Sequence, residues 1–363
     1  MAKYRVAWLP GDGVGPDVLA AARVVLDRIG LDAEYLPGDV GWEFWRREGD
    51  ALPARTIELL GNTDCALFGA VTSKTKSAAE EELDPRLQGK GFSYRSPLVR
   101  VRQLLDLFVC LRPCKAFPGN PLNYRDDTDL VVFRENTEDL YAGIEFNGVP
   151  EEMKLLPGMD RVPPDAAISL KINTRGGSKR IARAAFEYAR KHGRRRVTCV
   201  HKANVVRVSD GLFLDTVHQV AHEYPDIAFD NAAVDAMCMS MIRHPQNYDV
   251  IVAPNLYGDI VSDLATQLVG GLGFGCTGNI GKHYALFEPS HGSAPKYAGQ
   301  NKANPIAAIL AVRMMLEWLG ETDKAARLEA AVADTIHEGQ VRTHDMGGSA
   351  TTQEMTQAIV ARL

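Results

Sequence analysis

Short apolar runs that alternate with helix-like segments constrain the fold of this chain more than any other feature of its sequence. The clearest runs are RVAWLP (5–10), CALFGAV (65–71), LVVFREN (130–136), RRVTCVHK (195–202) and DVIVAPN (249–255). Strands that alternate with helices are typical of a sheet with crossover helices. The sequence therefore predicts an α/β fold, and its 363 residues are enough for about two domains.

Three predicted helices have recognisable ends. Ser178 is the predicted N-cap of the first and Gly193 its stop, with apolar residues at helical spacing between them. Ser209 begins the second, which ends at Pro225. The third covers 306–319 and presents an apolar face to the core.

The overall charge is nearly balanced, with 46 acidic and 41 basic residues and a net charge of −5. A dedicated nucleic-acid binder is usually strongly basic. The segment 171–196 has ten basic residues against Glu187 alone, but it lacks the interleaved aromatic residues that stack on bases. We therefore expect no nucleic-acid partner.

Neither a secretory leader nor a membrane span is predicted. The N-terminal MAKYRVAWLPGDG becomes polar and glycine-rich too early for a signal peptide, and no run of 18 apolar residues occurs. Six scattered cysteines form no CxxC pair, which argues against a zinc site or a disulfide framework. We expect a cytoplasmic protein with no membrane partner.

Arginine is concentrated in two places that favour an anionic ligand. The segment 86–115 has seven cations against Asp106 alone, and Arg112 directly follows the apolar run LFVCL. Arg134 likewise ends the run LVVF. A solvated basic face is the alternative, but a buried guanidinium needs an anionic partner and suits carboxylate or phosphate.

Acidic residues indicate a second kind of site. Asp259 and Asp263 are four apart, so both carboxylates share one face of a predicted helix. They are either capping residues or, together with Asp235, an all-oxygen site suited to Mg²⁺ or Mn²⁺. Lys202, after an apolar strand, is a candidate base and Tyr141 a candidate proton donor, although either side chain alone is more often structural.

The glycine-rich turn GDGVG (11–15) follows the first predicted strand and precedes Pro16. It lacks the third glycine of the GxGxxG dinucleotide fingerprint. The ordinary Rossmann fold is therefore not predicted.

With these residues in place, the sequence resembles the β-decarboxylating dehydrogenases of 2-hydroxy acids, which include the isocitrate, homoisocitrate and 3-isopropylmalate dehydrogenases. The resemblance runs almost end to end. Its motifs are LPGDGVGPD, RSPLVRVRQLLDLFVCLRP, FRENTEDLYAGIE, HKANV, NLYGDIVSDLA, GGLGF, GNIG and FEPSHGSAPKYAGQNKANPIAAIL.

The resemblance implies the two-domain α/β fold of this family rather than the usual Rossmann fold. Residues 1–105 plus 256–363 would form a large cofactor-binding domain, and 106–255 a small domain with a dimer-forming arm. The active site would lie in the cleft between them. The Pro- and Gly-rich segment 147–164 is either that arm or an ordinary surface loop. The expected assembly is a homodimer with shared active sites, or a higher homo-oligomer.

The resemblance also implies roles for individual residues. The carboxylates of a small polycarboxylate substrate would be held by Arg102, Arg112 and Arg134. The catalytic pair would be Tyr141 and Lys202, with Lys202 contributed across the dimer interface. The divalent metal would be held by Asp259, Asp263 and the partner subunit's Asp235. The cofactor would be contacted by Thr72, His291, Gly292, Lys296, Tyr297 and Asn304.

The expected reaction is metal-dependent oxidative decarboxylation of a (2R,3S)-type 2-hydroxy tricarboxylic acid. Ser96 matches the serine that isocitrate-type members place against the third carboxylate, so isocitrate is the first choice. SPLVRVR and the GGSATT tail also resemble homoisocitrate enzymes, and an apolar Leu98 keeps 3-isopropylmalate, malate or tartrate as lesser alternatives.

Cofactor choice is read from the residues after HGSAP. NAD-selective relatives have an acid there, whereas this chain has Lys296 and Tyr297, which offers a cation to a 2′-phosphate. NADP is therefore expected, with NAD as the alternative because His344 and Gly348 replace the usual tyrosine and arginine. Non-catalytic regulatory subunits of the family lose the tyrosine, the lysine or the metal acids. All are present here, so an active enzyme is predicted.

Overall fold

The computed structural model describes residues 2–363 and is built around one long sheet. Ten of its strands form that sheet, and two short ones, β6 and β7, form a separate hairpin. The strands are β1 (Tyr4–Gly11), β2 (Ala33–Pro37), β3 (Cys65–Ala70), β4 (Val109–Lys115), β5 (Asp129–Glu135), β6 (Glu145–Asn147), β7 (Ala167–Ser169), β8 (Arg196–His201), β9 (Ala228–Ala233), β10 (Val250–Ala253), β11 (Cys276–Ile280) and β12 (Ala285–Pro289).

Helices cover both faces of the sheet. They are α1 (Gly15–Ile29), α2 (Trp42–Glu48), α3 (Ala54–Gly61), α4 (Lys76–Glu81), α5 (Pro97–Leu104), α6 (Glu151–Lys154), α7 (Arg175–Lys191), α8 (Ser209–Ala221), α9 (Val234–Arg243), α10 (Asn255–Leu268), α11 (Ile306–Trp318), α12 (Thr322–Glu338) and α13 (Thr352–Val360).

The main sheet is mixed, with the strand order β2-β1-β3-β12-β11-β4-β5-β10-β8-β9. Its two outer portions are parallel, while the pairs β12–β11, β11–β4 and β4–β5 at its centre are antiparallel. The α/β class predicted from the sequence is confirmed. All five apolar runs form strands. β3 and β10 are buried along their whole length and β5 and β8 over most of it, whereas β1 alternates buried and partly exposed residues.

The predicted start of α7 was wrong. Its N-cap is Thr174, whose hydroxyl accepts a hydrogen bond from the Gly177 N–H at 2.9 Å, and Ser178 lies inside the first turn. Gly177 is a point of close approach, because a Cβ there would lie 2.4 Å from a carboxylate oxygen of Glu138.

Apolar packing divides along the sheet. One set of clusters joins α1, α11 and α12 to β1, β3 and β12, and another joins α7, α8 and α10 to β5, β8 and β10. The division into 1–105 plus 256–363 and 106–255 stays a prediction. Helix α10 packs with the second set, which favours a boundary after this helix rather than before it.

The Pro- and Gly-rich segment lies beside the main sheet as a small projection. β6 and β7 pair with each other in antiparallel register, and α6 lies between them in the chain. Leu155 and Leu156 are both exposed. This geometry is compatible with the predicted arm.

Candidate active site

Three buried arginines form the centre of the candidate site. Arg102 lies in the last turn of α5, whereas Arg112 and Arg134 lie on the paired strands β4 and β5. All three are buried, and Arg134 is only 1% exposed. In each guanidinium one buried N–H has no hydrogen-bond partner among residues 2–363, namely Arg102 Nε, Arg112 Nε and Arg134 Nη2. These donors leave room for further acceptors.

Asp259 on α10 is the acid that approaches the arginines most closely. It pairs with Arg134 and lies 3.5 Å from Arg112, and Asp263, one turn later, lies 2.7 Å from Arg112. Burial alone would raise the pKa of Asp259, but the charges of Arg134 and Arg112 outweigh it and lower that pKa. The carboxylate is therefore ionised at neutral pH.

Tyr141 lies on a short 3-10 turn, Asp139–Ala142, after β5. Its phenol donates a hydrogen bond to Asp259 at 2.6 Å, and the Arg134 guanidinium lies 4.8 Å from its ring centre. Burial raises the pKa of Tyr141, and Asp259 raises it further. The phenol thus holds its proton at neutral pH, which a proton donor requires.

Lys202 and Asp235 form a separate pair. Lys202 follows β8, Asp235 begins α9, and Lys202 Nζ lies 2.6 Å from the Asp235 carboxylate. This contact lowers the pKa of Asp235. Within residues 2–363 of one chain, no group of three or more His, Cys, Asp or Glu side chains is placed to hold a metal ion. A single chain therefore leaves Asp235 apart from Asp259 and Asp263.

A pocket of about 370 Å³ brings together most of the predicted cofactor residues. His291, Gly292, Tyr297 and Asn304 line it. Burial lowers the pKa of His291, and its buried Nε2 has no hydrogen-bond partner among the described residues. A pocket with an unpaired ring nitrogen and a stacking tyrosine fits a heteroaromatic ligand such as a nucleotide base.

Two predicted cofactor residues lie outside this lining. The Lys296 side chain is exposed, with its ammonium 4.7 Å from the Tyr297 ring centre. Thr72 follows β3, where its hydroxyl lies 2.7 Å from that of Ser293 and its N–H donates to Asp12 at 2.8 Å. Thr72 thus joins the GDGVG turn to the HGSAP loop.

The glycines of GDGVG serve this junction. Gly13 has φ +59°, and a Cβ on it would lie 1.9 Å from the Ser293 carbonyl oxygen. Position 13 therefore requires glycine because the GDGVG turn and the HGSAP loop are in close contact there.

Sequence reasoning missed three side chains of the site. Lys302 and Asp345 line the pocket, and Asp345 accepts a hydrogen bond from Asn304 at 3.0 Å. Buried Glu288 accepts hydrogen bonds from Arg102 at 3.2 Å and from Asn279 at 2.8 Å. The KANP and FEPSHG motifs contain Lys302 and Glu288, but nothing in their spacing indicates what they contact.

Ser96 lies at the start of α5 with its hydroxyl free. It occupies the N-cap position but makes no side-chain capping hydrogen bond. Leu98 packs partly buried against the cluster that contains Leu9 and Phe68. Arg100 pairs with Asp50. The Ser96 hydroxyl is therefore available for a ligand.

Most of the other basic residues are paired elsewhere. Arg86 and Lys115 of the arginine-rich segment bind Asp84 and Glu329. In 171–196, ion pairs link basic side chains to acids on neighbouring elements, namely Arg180–Asp106, Arg183–Glu223, Arg190–Asp226, Arg194–Asp129 and Arg196–Asp230. Each of these five arginines therefore has an acidic partner.

Comparison with known proteins agrees with this geometry. A family model described as isocitrate/isopropylmalate dehydrogenase matches residues 5–359. The 3-isopropylmalate dehydrogenase of Methanothermobacter thermautotrophicus is 42% identical over 100% of this chain and 99% of its own length. The isocitrate/homoisocitrate dehydrogenase of Thermus thermophilus is 41% identical over 99% and 98%. The crystal structure of isocitrate dehydrogenase from Methylococcus capsulatus superimposes with a TM-score of 0.88 at 40% identity, covering 99% of each chain.

The fold and the site define a decarboxylating dehydrogenase of hydroxy acids. The chain belongs to the isocitrate/isopropylmalate dehydrogenase family. Enzymes of this family act on small polycarboxylates with NAD(P) and a divalent metal. None of the helices described in residues 2–363 is both long and apolar enough to span a bilayer.

Proposed function

We propose that this protein oxidises and decarboxylates isocitrate to 2-oxoglutarate, with NADP and Mg²⁺ or Mn²⁺. The observation that carries this proposal is the set of three buried guanidiniums, each with an unpaired N–H. Arginine forks suit carboxylates, and a buried cation with spare donors favours an anionic ligand. The free Ser96 hydroxyl at the start of α5 supports a third carboxylate on that ligand.

The acids fit a hard divalent cation. Asp259 and Asp263 both reach the Arg112 guanidinium, so their carboxylates lie within a few ångströms of one point, and the lowered pKa of Asp259 keeps that group anionic. Carboxylate oxygens are the ligands that Mg²⁺ and Mn²⁺ prefer. We propose that Asp259, Asp263 and the partner subunit's Asp235 hold the cation.

A dimer with shared sites follows from that assignment, because Asp235 and Lys202 pair with each other away from Asp259 in the same chain. Large apolar side chains lie exposed nearby. They are Val205, Val208, Met239, Ile242 and Ile260. Apolar groups clustered on α9, α10 and the Lys202 turn favour burial against a second copy. The proposed domain division puts the site in the cleft between the domains.

When bound, the nicotinamide would supply the hydride acceptor for the 2-carbon, and a cation held by Asp259, Asp263 and the partner subunit's Asp235 would supply a Lewis acid for the oxygen of that carbon. The side chains of the protein orient the substrate and transfer the protons. Arg102, Arg112 and Arg134 orient the substrate carboxylates. Lys202 of the partner subunit receives the hydroxyl proton as the base, and Tyr141 protonates the carbon that loses CO₂, for which its raised pKa keeps the proton available.

NADP is proposed because one lysine lines the cofactor pocket and a second lies next to a lining residue in the chain. Lys302 and Tyr297 both line the pocket, and the exposed Lys296 directly precedes Tyr297. The acid that would bind a ribose 2′-hydroxyl is absent after HGSAP. NAD is the alternative, since Asp345 also lines the pocket. We expect the enzyme to be cytoplasmic and catalytic rather than regulatory.

Homoisocitrate is the second candidate substrate. It keeps the three carboxylates and lengthens one arm by a methylene, and a hydrophobic or open pocket discriminates weakly between such neighbours. The Thermus relative is named for both substrates. Leu98 is partly buried against the cluster that contains Leu9 and Phe68, and its apolar side chain keeps 3-isopropylmalate, malate or tartrate as lesser alternatives.

Initial rates with isocitrate, homoisocitrate and 3-isopropylmalate, each with NADP⁺ and NAD⁺, test this proposal. We expect the highest kcat/KM for isocitrate with NADP⁺. Lys202→Met should abolish turnover and leave cofactor binding detectable by fluorescence. A higher kcat/KM for 3-isopropylmalate would refute the substrate assignment, and a preference for NAD⁺ would refute the cofactor assignment.

A further inference from the structure

Two completely buried carboxylates outside the proposed chemistry share one lysine. Asp139 and Asp210 are 0% exposed, and Lys171, at 16% side-chain exposure, lies 2.7 Å from Asp139 and 3.3 Å from Asp210. The Lys171 ammonium also lies 4.8 Å from the Tyr257 ring centre. One cation thus bridges two buried anions on elements that are distant in sequence.

Asp139 fixes the turn that carries Tyr141. It opens this 3-10 turn with φ +68°, a conformation that an L-residue with a side chain rarely adopts. Its N–H donates to the Ile172 carbonyl at 2.7 Å, and its second carboxylate oxygen accepts from the Leu256 N–H at 2.9 Å. Leu256 is in the first turn of α10, three residues before Asp259. Asp139 therefore ties the Tyr141 turn to the helix that carries Asp259.

Asp210 fixes the backbone at the other candidate catalytic residue. One of its carboxylate oxygens accepts a hydrogen bond from the Lys202 N–H at 2.7 Å, where the chain leaves β8. Its other oxygen has no partner apart from the Lys171 ion pair. The position of the Lys202 backbone thus depends on a carboxylate that Lys171 holds.

The charge arrangement makes Lys171 the critical member. Removing one partner of a buried ion pair leaves an uncompensated charge, and two neighbouring carboxylates without a cation repel each other. The movement that lowers this repulsion at the least cost in free energy takes one carboxylate toward water, together with the backbone N–H that it binds. Such a movement displaces the Tyr141 turn or the Lys202 turn.

We propose that Lys171 is a positioning residue, which holds the Tyr141 turn, the start of α10 and the Lys202 turn in register through Asp139 and Asp210. The inference rests on the proposed function for the roles of Tyr141 and Lys202. In the proposed dimer, Lys202 serves the neighbouring site. Each Lys171 then supports Tyr141 in one active site and Lys202 in the other.

Lys171→Met tests the inference, with Lys324→Met as the matched control. Lys324 is also largely buried, at 28% exposure, and makes a 2.6 Å ion pair with Glu321 far from the site. Displacement of a catalytic group by about 1 Å costs on the order of 100-fold in rate. We expect Lys171→Met to lower kcat about 100-fold and to change KM by less than about threefold, because the arginines are untouched. Lys324→Met should keep the wild-type kcat.

Two further variants separate positioning from loss of folding. Lys171→Met combined with Asp210→Asn removes one carboxylate as well, so it should recover about tenfold of the lost kcat relative to Lys171→Met alone. Lys171→Arg retains the cation and should keep kcat within about tenfold of wild type. Equal kcat for the single and double variants would contradict the charge argument.

Hydrogen exchange gives a readout that needs no substrate. The N–H groups of Lys202 and Leu256 are donors to Asp210 and Asp139, so peptides that contain them should exchange faster in Lys171→Met than in Lys324→Met. If the wild-type enzyme oxidises none of isocitrate, homoisocitrate and 3-isopropylmalate, the proposed function is wrong. Hydrogen exchange then tests the positioning role of Lys171 by itself. Unchanged exchange at both amides, or a wild-type kcat in Lys171→Met, would overturn the positioning role.

Discussion

The substitution Asp259→Asn should destabilise the free enzyme because Arg134 is buried and depends on this carboxylate. Arg134 is 1% exposed and pairs with Asp259, and its Nε donates to Asn255 at 2.8 Å. The amide keeps the size of the side chain and an acceptor for the Tyr141 hydroxyl, so the change removes mainly charge.

The magnitude follows from burial. Breaking a buried ion pair by removing one partner costs roughly 3–5 kcal/mol. The Asp259 side chain is 32% exposed, so water already screens part of the attraction. We therefore expect a loss of about 2–3 kcal/mol at pH 7. Because the folded pKa of Asp259 is lowered, this stabilisation is present above its unfolded pKa of about 4 and is lost as pH falls through the folded value.

Urea unfolding followed by tryptophan fluorescence, at fixed protein concentration and with EDTA, measures this loss. Asp263→Asn is the matched control, because Asp263 lies on the same helix as Asp259 and pairs with buried Arg112, but its side chain is 59% exposed. That control should lose less than about 1 kcal/mol. Arg134→Met combined with Asp259→Asn should show a coupling energy of about 1–3 kcal/mol. Equal losses for the two asparagine variants, or a coupling below about 0.5 kcal/mol, would refute the reasoning.

Three further predictions concern the ligands and pH. Ser96→Ala should raise KM for isocitrate about tenfold, since a hydrogen bond to a charged group contributes about 1.5–3 kcal/mol, and should leave 3-isopropylmalate rates unchanged in the same initial-rate assay. Lys302→Ala should raise KM for NADP⁺ about tenfold more than for NAD⁺, and an equal effect on both would exclude a phosphate contact. Burial lowers the pKa of His291, so the unfolded chain binds its proton more readily, and stability should rise as pH increases from about 5 to 7. His291→Gln should flatten that rise in urea titrations; an unchanged slope would assign it to other groups.

The strands were predictable because the apolar composition of each run is by itself enough to indicate a buried strand. The runs CALFGAV and DVIVAPN indicate burial without any information about neighbouring strands, and both form fully buried interior strands of the sheet. The start of α7 was not predictable in this way. The cap at Thr174 and the close approach at Gly177 both depend on Glu138, which lies in another part of the chain.

The same distinction applies to the site. Asp259 and Asp263 are one helical turn apart, so their shared face follows from sequence spacing alone. Lys302 and Asp345 line the same pocket only because the loop before α11 and the loop after α12 both face it. Asp139, Lys171 and Asp210 are likewise joined only by the fold. Local spacing reveals contacts within an element, whereas contacts between loops depend on topology.

With the proposed assignments, the arrangement of charges in the free chain predicts that substrate and cation strengthen each other's binding. Asp259 and Asp263 are held by the arginines that we assign to the substrate. A polycarboxylate that arrives alone would place more negative charge beside these acids, and a cation that arrives alone would compete with Arg112 and Arg134 for them. With both bound, the substrate would replace the aspartates at the arginines and the cation would replace the arginines at the aspartates. Each ligand should therefore increase the affinity for the other, and reciprocity requires the same factor in both directions.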